Sequence, residues 1–218
     1  MDVVEIAPRL WRWTGRHEEW EEDVGSVYHE TEDGVVLVDP ILPPEDEERF
    51  LAQLDREVSG QEVHVLVTVF WHTRSASAMV ERYGARVWAP ARGKAAIARR
   101  AGVVTDPFKA GDELPGDLQA FPTARASEVV YWIPRHGALV PGDVLLGEGA
   151  KGGGTLRAGP GGVRMCPESW LPEGKGHAEL AASLRPLVDL PVERILVSHG
   201  APVLEHAGES LSRALDVG

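Results

Sequence analysis

Only one cysteine, Cys166, occurs in the 218 residues, which excludes an internal disulfide and fits a reducing compartment. Cys166 stands next to Pro167 in a loop-like segment with no histidine beside it, so it reads as a structural thiol rather than a nucleophile. No stretch reaches the ~20 apolar residues of a membrane span, and Met1-Asp-Val-Val-Glu-Ile has neither a basic nor an apolar leader region. A cytoplasmic protein without a membrane partner is therefore expected. Positive charge is also scarce: a net charge of -12 leaves no basic stripe for a phosphate backbone, and no nucleic-acid partner is expected. The glycine-rich segment 147–162 lacks the Gly-Lys-Ser/Thr ending of a phosphate loop. It reads as a mobile loop, placed directly after Asp143 where it would cover a pocket.

What is present is enough for a substantial core. The 43% hydrophobic content and the length suit one domain over residues 1–218. Val24–Thr31 and Val35–Asp39 are β-rich runs joined by Glu32-Asp33-Gly34, a strong hairpin signal. Pro43-Pro44 and the acidic Glu45–Glu48 open an amphipathic helix that Ser59-Gly60 ends. Strands are expected at 63–68, 86–89, 118–123, 129–133, 139–146 and 192–197, and helices at 75–83, 91–101, 176–188 and 205–215. Arg135-His136-Gly137 reads as a turn that exposes His136. Strands interleaved with helices in two successive halves indicate a layered α/β domain.

Metal-competent side chains follow several of these buried runs. Asp143 closes Ala138-Leu-Val-Pro-Gly-Asp143, and His199 closes Arg194-Ile-Leu-Val-Ser-His199-Gly. In this order the chain resembles the metallo-β-lactamase superfamily, in its glyoxalase II and lactonase-like branch, over Val27 to about Val203. The resemblance implies a four-layer αβ/βα sandwich, with Asp143 and His199 as the catalytic remnants. It also shows what is missing. The family motif Thr-His-x-His-x-Asp-His, aligned on Thr68, falls on Val69, Trp71, Thr73 and Arg74, and a further ligand position falls on Ala126.

Catalytic zinc needs three protein donors and an open position, so Asp143 and His199 alone are too few. No metal cofactor is expected on that count. If a one-residue bulge returned His72 to the site, then His72, Asp143 and His199 would hold one zinc or other divalent transition ion. Without a metal, a buried Asp143 needs a fixed cation, and Arg74 is the first candidate, with Arg125 the second. Trp71, His72, Arg74 and Arg125 are the expected substrate-pocket residues. The leading expectation is a pseudo-hydrolase or small-molecule-binding protein that has lost most of its dinuclear ligands. The alternative is a one-metal hydrolase of an ester, thioester or lactone. Asp143 and His199 as a metal-free acid/base pair rank last, for want of a nucleophile. The cluster Trp11, Trp13 and Trp20 could bind a ligand or partner, but packing on the first sheet or against a second copy in a homodimer is the expected use. His17, His29, His64, His177 and His206 show no metal-type spacing.

Overall fold

The computed structural model describes residues 2–152 and 158–216. An antiparallel meander comes first: β1 (Val3–Ala7), β2 (Leu10–His17), β3 (Glu22–Glu30) and β4 (Val35–Val38). Helices and strands then alternate, α1 (Glu47–Glu57), β5 (Val63–Leu66), α2 (Ala76–Tyr83), β6 (Arg86–Pro90), α3 (Lys94–Ala101) and β7 (Thr105–Phe108). Together the strands make a seven-stranded sheet in sequence order, parallel from β4 onward. The second half adds β8 (Gln119–Pro122), β9 (Val129–Ile133), β10 (Ala138–Val140), β11 (Leu145–Gly147), β12 (Val163–Met165), α4 (His177–Leu184), β13 (Arg194–Ile195) and α5 (Ala207–Leu215). Its four-stranded sheet runs β13-β10-β9-β8, and β11 pairs with β12 alone.

The period-two alternation of strand side chains builds the layers. In β4, Val36 and Val38 face a core shared with Val129, Tyr131 and Ile133 of β9, whereas Val35 and Leu37 face Phe50 and Leu54 of α1 and Met79 of α2. In β9 the other face, Val130 and Trp132, packs on Leu180 and Leu184 of α4 and Leu211 of α5. Each of these central strands is thus buried on both sides, which is why they read as continuous apolar runs. The order of layers is helix, sheet, sheet, helix, the expected αβ/βα sandwich. Each fully buried Val or Leu contributes about 1.5–3 kcal/mol to holding the layers together. No helix among the described residues is long and apolar enough to cross a membrane.

Several expectations need correction. The run 139–146 is two strands, because Pro141 and Gly142, the latter with φ of +58°, turn the chain from the four-stranded sheet into the β11–β12 hairpin. That break presents Asp143. The helix expected through Val188 tightens into a 3-10 turn at Arg185–Asp189, where Pro186 supplies no backbone N–H. The strand expected at 192–197 pairs only over Arg194–Ile195. Strands β1, β2, β7 and β12 went unread; β7 carries Pro107, tolerated because this strand is the sheet edge. His136 is buried, not exposed: its ring meets His29 edge-on at 5.1 Å. The covering-loop expectation for 147–162 falls partly on 153–157, outside the described residues.

Gly142 offers a direct check on the turn that presents Asp143. A Cβ there would lie 2.7 Å from Glu128 Oε1 and 3.0 Å from Thr68 Oγ1, at a φ that favours glycine. Gly142→Ala should lower the unfolding free energy by about 2 kcal/mol or more in urea denaturation. A loss under about 0.5 kcal/mol would show that the turn is not tightly packed.

Candidate functional site

At one edge of the sandwich the carboxyl ends of β4, β5, β10 and β13 meet the beginning of β3. The two sheets are stitched together there: Val24 bridges to His199, and the Gly25 N–H donates to the Ser198 carbonyl at 2.7 Å. Asp39 leaves β4 with a φ of +48°. Its carboxylate accepts from the Thr68 N–H at 2.8 Å, from Thr68 Oγ1 at 2.5 Å, and contacts His72 Nδ1 at 2.8 Å. His72 lies in the short 3-10 turn Phe70–Thr73 that follows β5, and is completely buried. The hydrogen bonds of Asp39 fix both the place of the ring and which nitrogen faces inward.

That inward nitrogen, His72 Nε2, is 3.0 Å from Asp143 Oδ1, and His199 Nε2 reaches the same oxygen at 3.1 Å. His72 Nε2 and Asp143 Oδ1 are buried and make no aligned hydrogen bond, so the close approach leaves their hydrogen-bonding capacity unspent. The other carboxylate oxygen, Asp143 Oδ2, accepts from the Trp71 indole N–H at 2.5 Å. The Asp143 backbone N–H donates to Glu128 Oε1 at 2.7 Å, and Glu128 is itself ion-paired with Arg125. On the outer side, His199 Nδ1 sits 3.3 Å from Glu22 Oε2, an ion-pair contact. Each histidine therefore has a carboxylate behind it and Asp143 in front.

Charge is redistributed accordingly. Burial would lift the Asp143 pKa, but the nearby His72 charge and the contacts with both histidines outweigh it and hold the carboxyl well below its usual range. Burial opposes protonation of His199, yet its contacts with Asp143 and Glu22 push it up to about 9. His72 is also raised, Asp143 and Asp39 prevailing over burial and the Arg74 charge. Glu128 moves the other way from Asp143: burial raises it despite Arg125. As it stands, Asp143 is a carboxylate flanked by two imidazoles whose proton affinity it raises.

Above the three residues opens a cavity of about 480 Å³, lined by Trp20, Trp71, Trp170, Asp143, His199, Glu19, Glu22 and, at one side, Arg100, Lys151 and Gly152. Trp20 lies over both imidazoles, its ring centroid 5.9 Å from His72 and 5.7 Å from His199.

No family model and no curated protein sequence matches the chain. Solved structures do. A metallo-β-lactamase from Erythrobacter litoralis superposes with a TM-score of 0.67 at 16% identity, covering 98% of this chain and 94% of that one. The DIM-1 metallo-β-lactamase gives 0.67 at 13% identity, over 99% and 96%. The FIM-1 enzyme from Pseudomonas aeruginosa, in its mono-zinc form, gives 0.65 at 14%, over 99% and 94%. The chain has the metallo-β-lactamase fold.

Within that fold the sequence-derived site residues are placed as follows. His72, Asp143 and His199 are brought together, and their candidate ligand atoms all lie within 4.8 Å of one another. Arg74 does not pair with Asp143, contrary to expectation. Its guanidinium donates to the Gly25 carbonyl at 2.8 Å, the Asp39 carbonyl at 2.9 Å and Ser198 Oγ, so it clamps the seam between the sheets. Arg125 does not pair with Asp143 either; it binds Glu128 and the Trp170 carbonyl and stacks on Trp71, 4.7 Å from the ring centroid. Trp71 lines the cavity, whereas His72, Arg74 and Arg125 lie behind its lining. Asp39, Glu22 and Glu128 are site residues that the sequence reading does not name, and Trp20 takes the ligand-facing alternative rather than the expected packing role. Asp39 had a readable signal, a carboxylate closing an apolar strand; Glu22 opens β3 within an acid-rich run and carried none. Of the amino-terminal tryptophans, Trp13 packs on Phe50 at 5.3 Å and Trp11 on Tyr28 at 5.1 Å, while Trp20 turns to the site.

Two measurements follow from this geometry. Folding raises the His199 pKa above its ordinary 6.5, so the resulting stabilisation is complete below about pH 6.5 and is lost as pH climbs through about 9. Chelator-treated protein should lose stability over this range, by roughly 3 kcal/mol at most, and His199→Gln should flatten the profile. A wild-type profile as flat as the variant's would contradict the ion-pair geometry. Separately, Arg74→Ala removes the guanidinium donor from the Gly25 carbonyl and Ser198 Oγ, and one of two donors from the Asp39 carbonyl, and should cost roughly 1–3 kcal/mol; a cost below about 0.5 kcal/mol would make Arg74 a solvated side chain.

Proposed function

We propose that the chain is a hydrolase working with one divalent transition metal ion, held by His72, Asp143 and His199, on a small ester, thioester or lactone. The observation that carries this reading is the convergence of two imidazole nitrogens on one carboxylate oxygen with the buried His72 Nε2 and Asp143 Oδ1 left without hydrogen bonds. Two nitrogens and one oxygen form a three-donor set of the kind zinc uses in catalytic sites. Asp39, hydrogen-bonded to His72 Nδ1, is the carboxylate partner that keeps a ligating imidazole in the right tautomer, and Glu22 stands 3.3 Å from His199 Nδ1. An ion bound there supplies Lewis-acid polarisation of a carbonyl and acidifies water.

The protein's own groups do the rest. Thr68 and Asp39 orient His72, Glu128 and Trp71 orient Asp143, and Trp20 shields the imidazoles from solvent. The arrangement favours one ion over two. Trp71 takes the second oxygen of Asp143, and Arg74 places a fixed positive charge close enough to lower the affinity of His72 for a proton. The mono-zinc form of FIM-1, a chain of the same fold, is in keeping with a single ion.

A metal-free reading, a pseudo-hydrolase whose pocket binds a small molecule, is favoured by one observation: two imidazoles of raised proton affinity and an indole N–H already surround the Asp143 carboxylate. Elemental analysis of untagged protein separates the two. About one equivalent of zinc, iron or manganese is expected, lost in His72→Ala and His199→Ala, with esterase or thioesterase turnover abolished by chelation. Less than about 0.1 equivalent together with chelator-insensitive turnover or none would overturn the metal reading.

A further inference from the structure

The cavity above the three candidate ligands has walls that neither the fold nor the ligand set requires. Three of its lining residues are tryptophans, Trp20, Trp71 and Trp170. Trp170 ends the turn Glu168–Trp170 with 36% of its surface exposed, and its ring centroid is 6.5 Å from that of His199. A large apolar ring left open beside a polar centre marks a place for a ligand.

The other two indoles are held rigidly. Trp20 stacks on His17 with centroids 3.8 Å apart and planes within 9°. Trp71 is gripped from one face by the Arg125 guanidinium and through its N–H by Asp143. Arg125 also binds the Trp170 carbonyl, so a single guanidinium ties two walls of the cavity together. Preorganised indoles cost little to order on binding, and their quadrupoles favour another aromatic ring, offset or edge-on, over a saturated group of the same size.

We propose that the substrates of this site carry an aryl group close to the scissile carbonyl, as aryl or arylalkyl carboxylic esters, thioesters or lactones. This rests on the hydrolytic reading above. The ring lies among Trp20, Trp71 and Trp170 while the carbonyl reaches Asp143 and His199. Hydrolysis forms one acyl C–O bond from water and breaks the acyl bond to oxygen or sulfur. The alcohol or thiol, released from an ester or thioester and still tethered in an opened lactone, takes one proton from water; the other is released as the aryl-bearing acid ionises to a carboxylate.

The test uses the product class. Phenylacetate and its saturated counterpart cyclohexylacetate are titrated into the full chain by calorimetry and tryptophan fluorescence, with metal content measured on the same samples. Phenylacetate should bind roughly 3- to 10-fold more tightly. Trp170→Leu and Trp20→Leu, which keep apolar bulk, should each reduce that preference to under about 2-fold, Trp170→Leu without altering metal content. Equal affinity for the two acids, no binding of either, or a preference that survives both substitutions would overturn the proposal. The two readings fail separately: aryl preference in a protein without metal sinks the hydrolytic reading, whereas one bound ion without aryl preference sinks only the substrate class.

Discussion

A carboxylate in the position of Asp143, 4% exposed at the seam of two sheets, is tolerable only with its charge offset and its oxygens engaged. Everything around it serves that requirement. His72 and His199 approach one oxygen, Trp71 donates to the other, and Glu128 holds the backbone of the same residue. The histidines in turn are oriented by Asp39 and Glu22, so the network extends from Asp143 into both sheets. Removing one partner would leave a buried charge uncompensated, a much larger effect than the loss of a surface ion pair.

The network accounts for where the backbone departs from its preferred conformations. Asp39, with φ of +48°, and Arg74, with φ of +35°, are non-glycine residues in the left-handed half of the map. Such positions cost on the order of 1–3 kcal/mol and persist only when the surroundings overdetermine them. Here the surroundings do so: the Asp39 carboxylate is held by Thr68 and His72, and its carbonyl by Ser26 and Arg74. Strain of this kind concentrates at sites that do chemistry. In this chain it falls at Asp39, whose carboxylate holds His72, and at Arg74, two residues after His72 in the sequence.

The site is also lopsided, and the lopsidedness has a physical reading. On the side of His72 and His199, donors face a common point. On the other side, an indole N–H covers Asp143 Oδ2 and a guanidinium is committed to carbonyls of the seam. The residues around His72 on that side are structural: Val69 is buried core, Thr73 is buried, and Arg74 ties the sheets. Trp71, between them, faces the cavity as a wall.

By itself the sequence determined the layering, because apolar runs such as 35–38 and 129–133 are readable whatever they pack against, and their double-sided burial demands two sheets with helices outside. It also marked Asp143 and His199, each a polar residue ending such a run. The tertiary structure alone decided who their partners are. Whether His72 or Arg74 reaches Asp143 depends on a 3-10 turn that spacing does not encode, and Glu22 arrives from a strand more than a hundred residues away in sequence. Arg74 was assigned to Asp143 because opposite charges attract; the folded chain offers it three oxygen acceptors at the seam instead, and leaves the buried acid to two imidazoles whose proton affinity that acid itself raises.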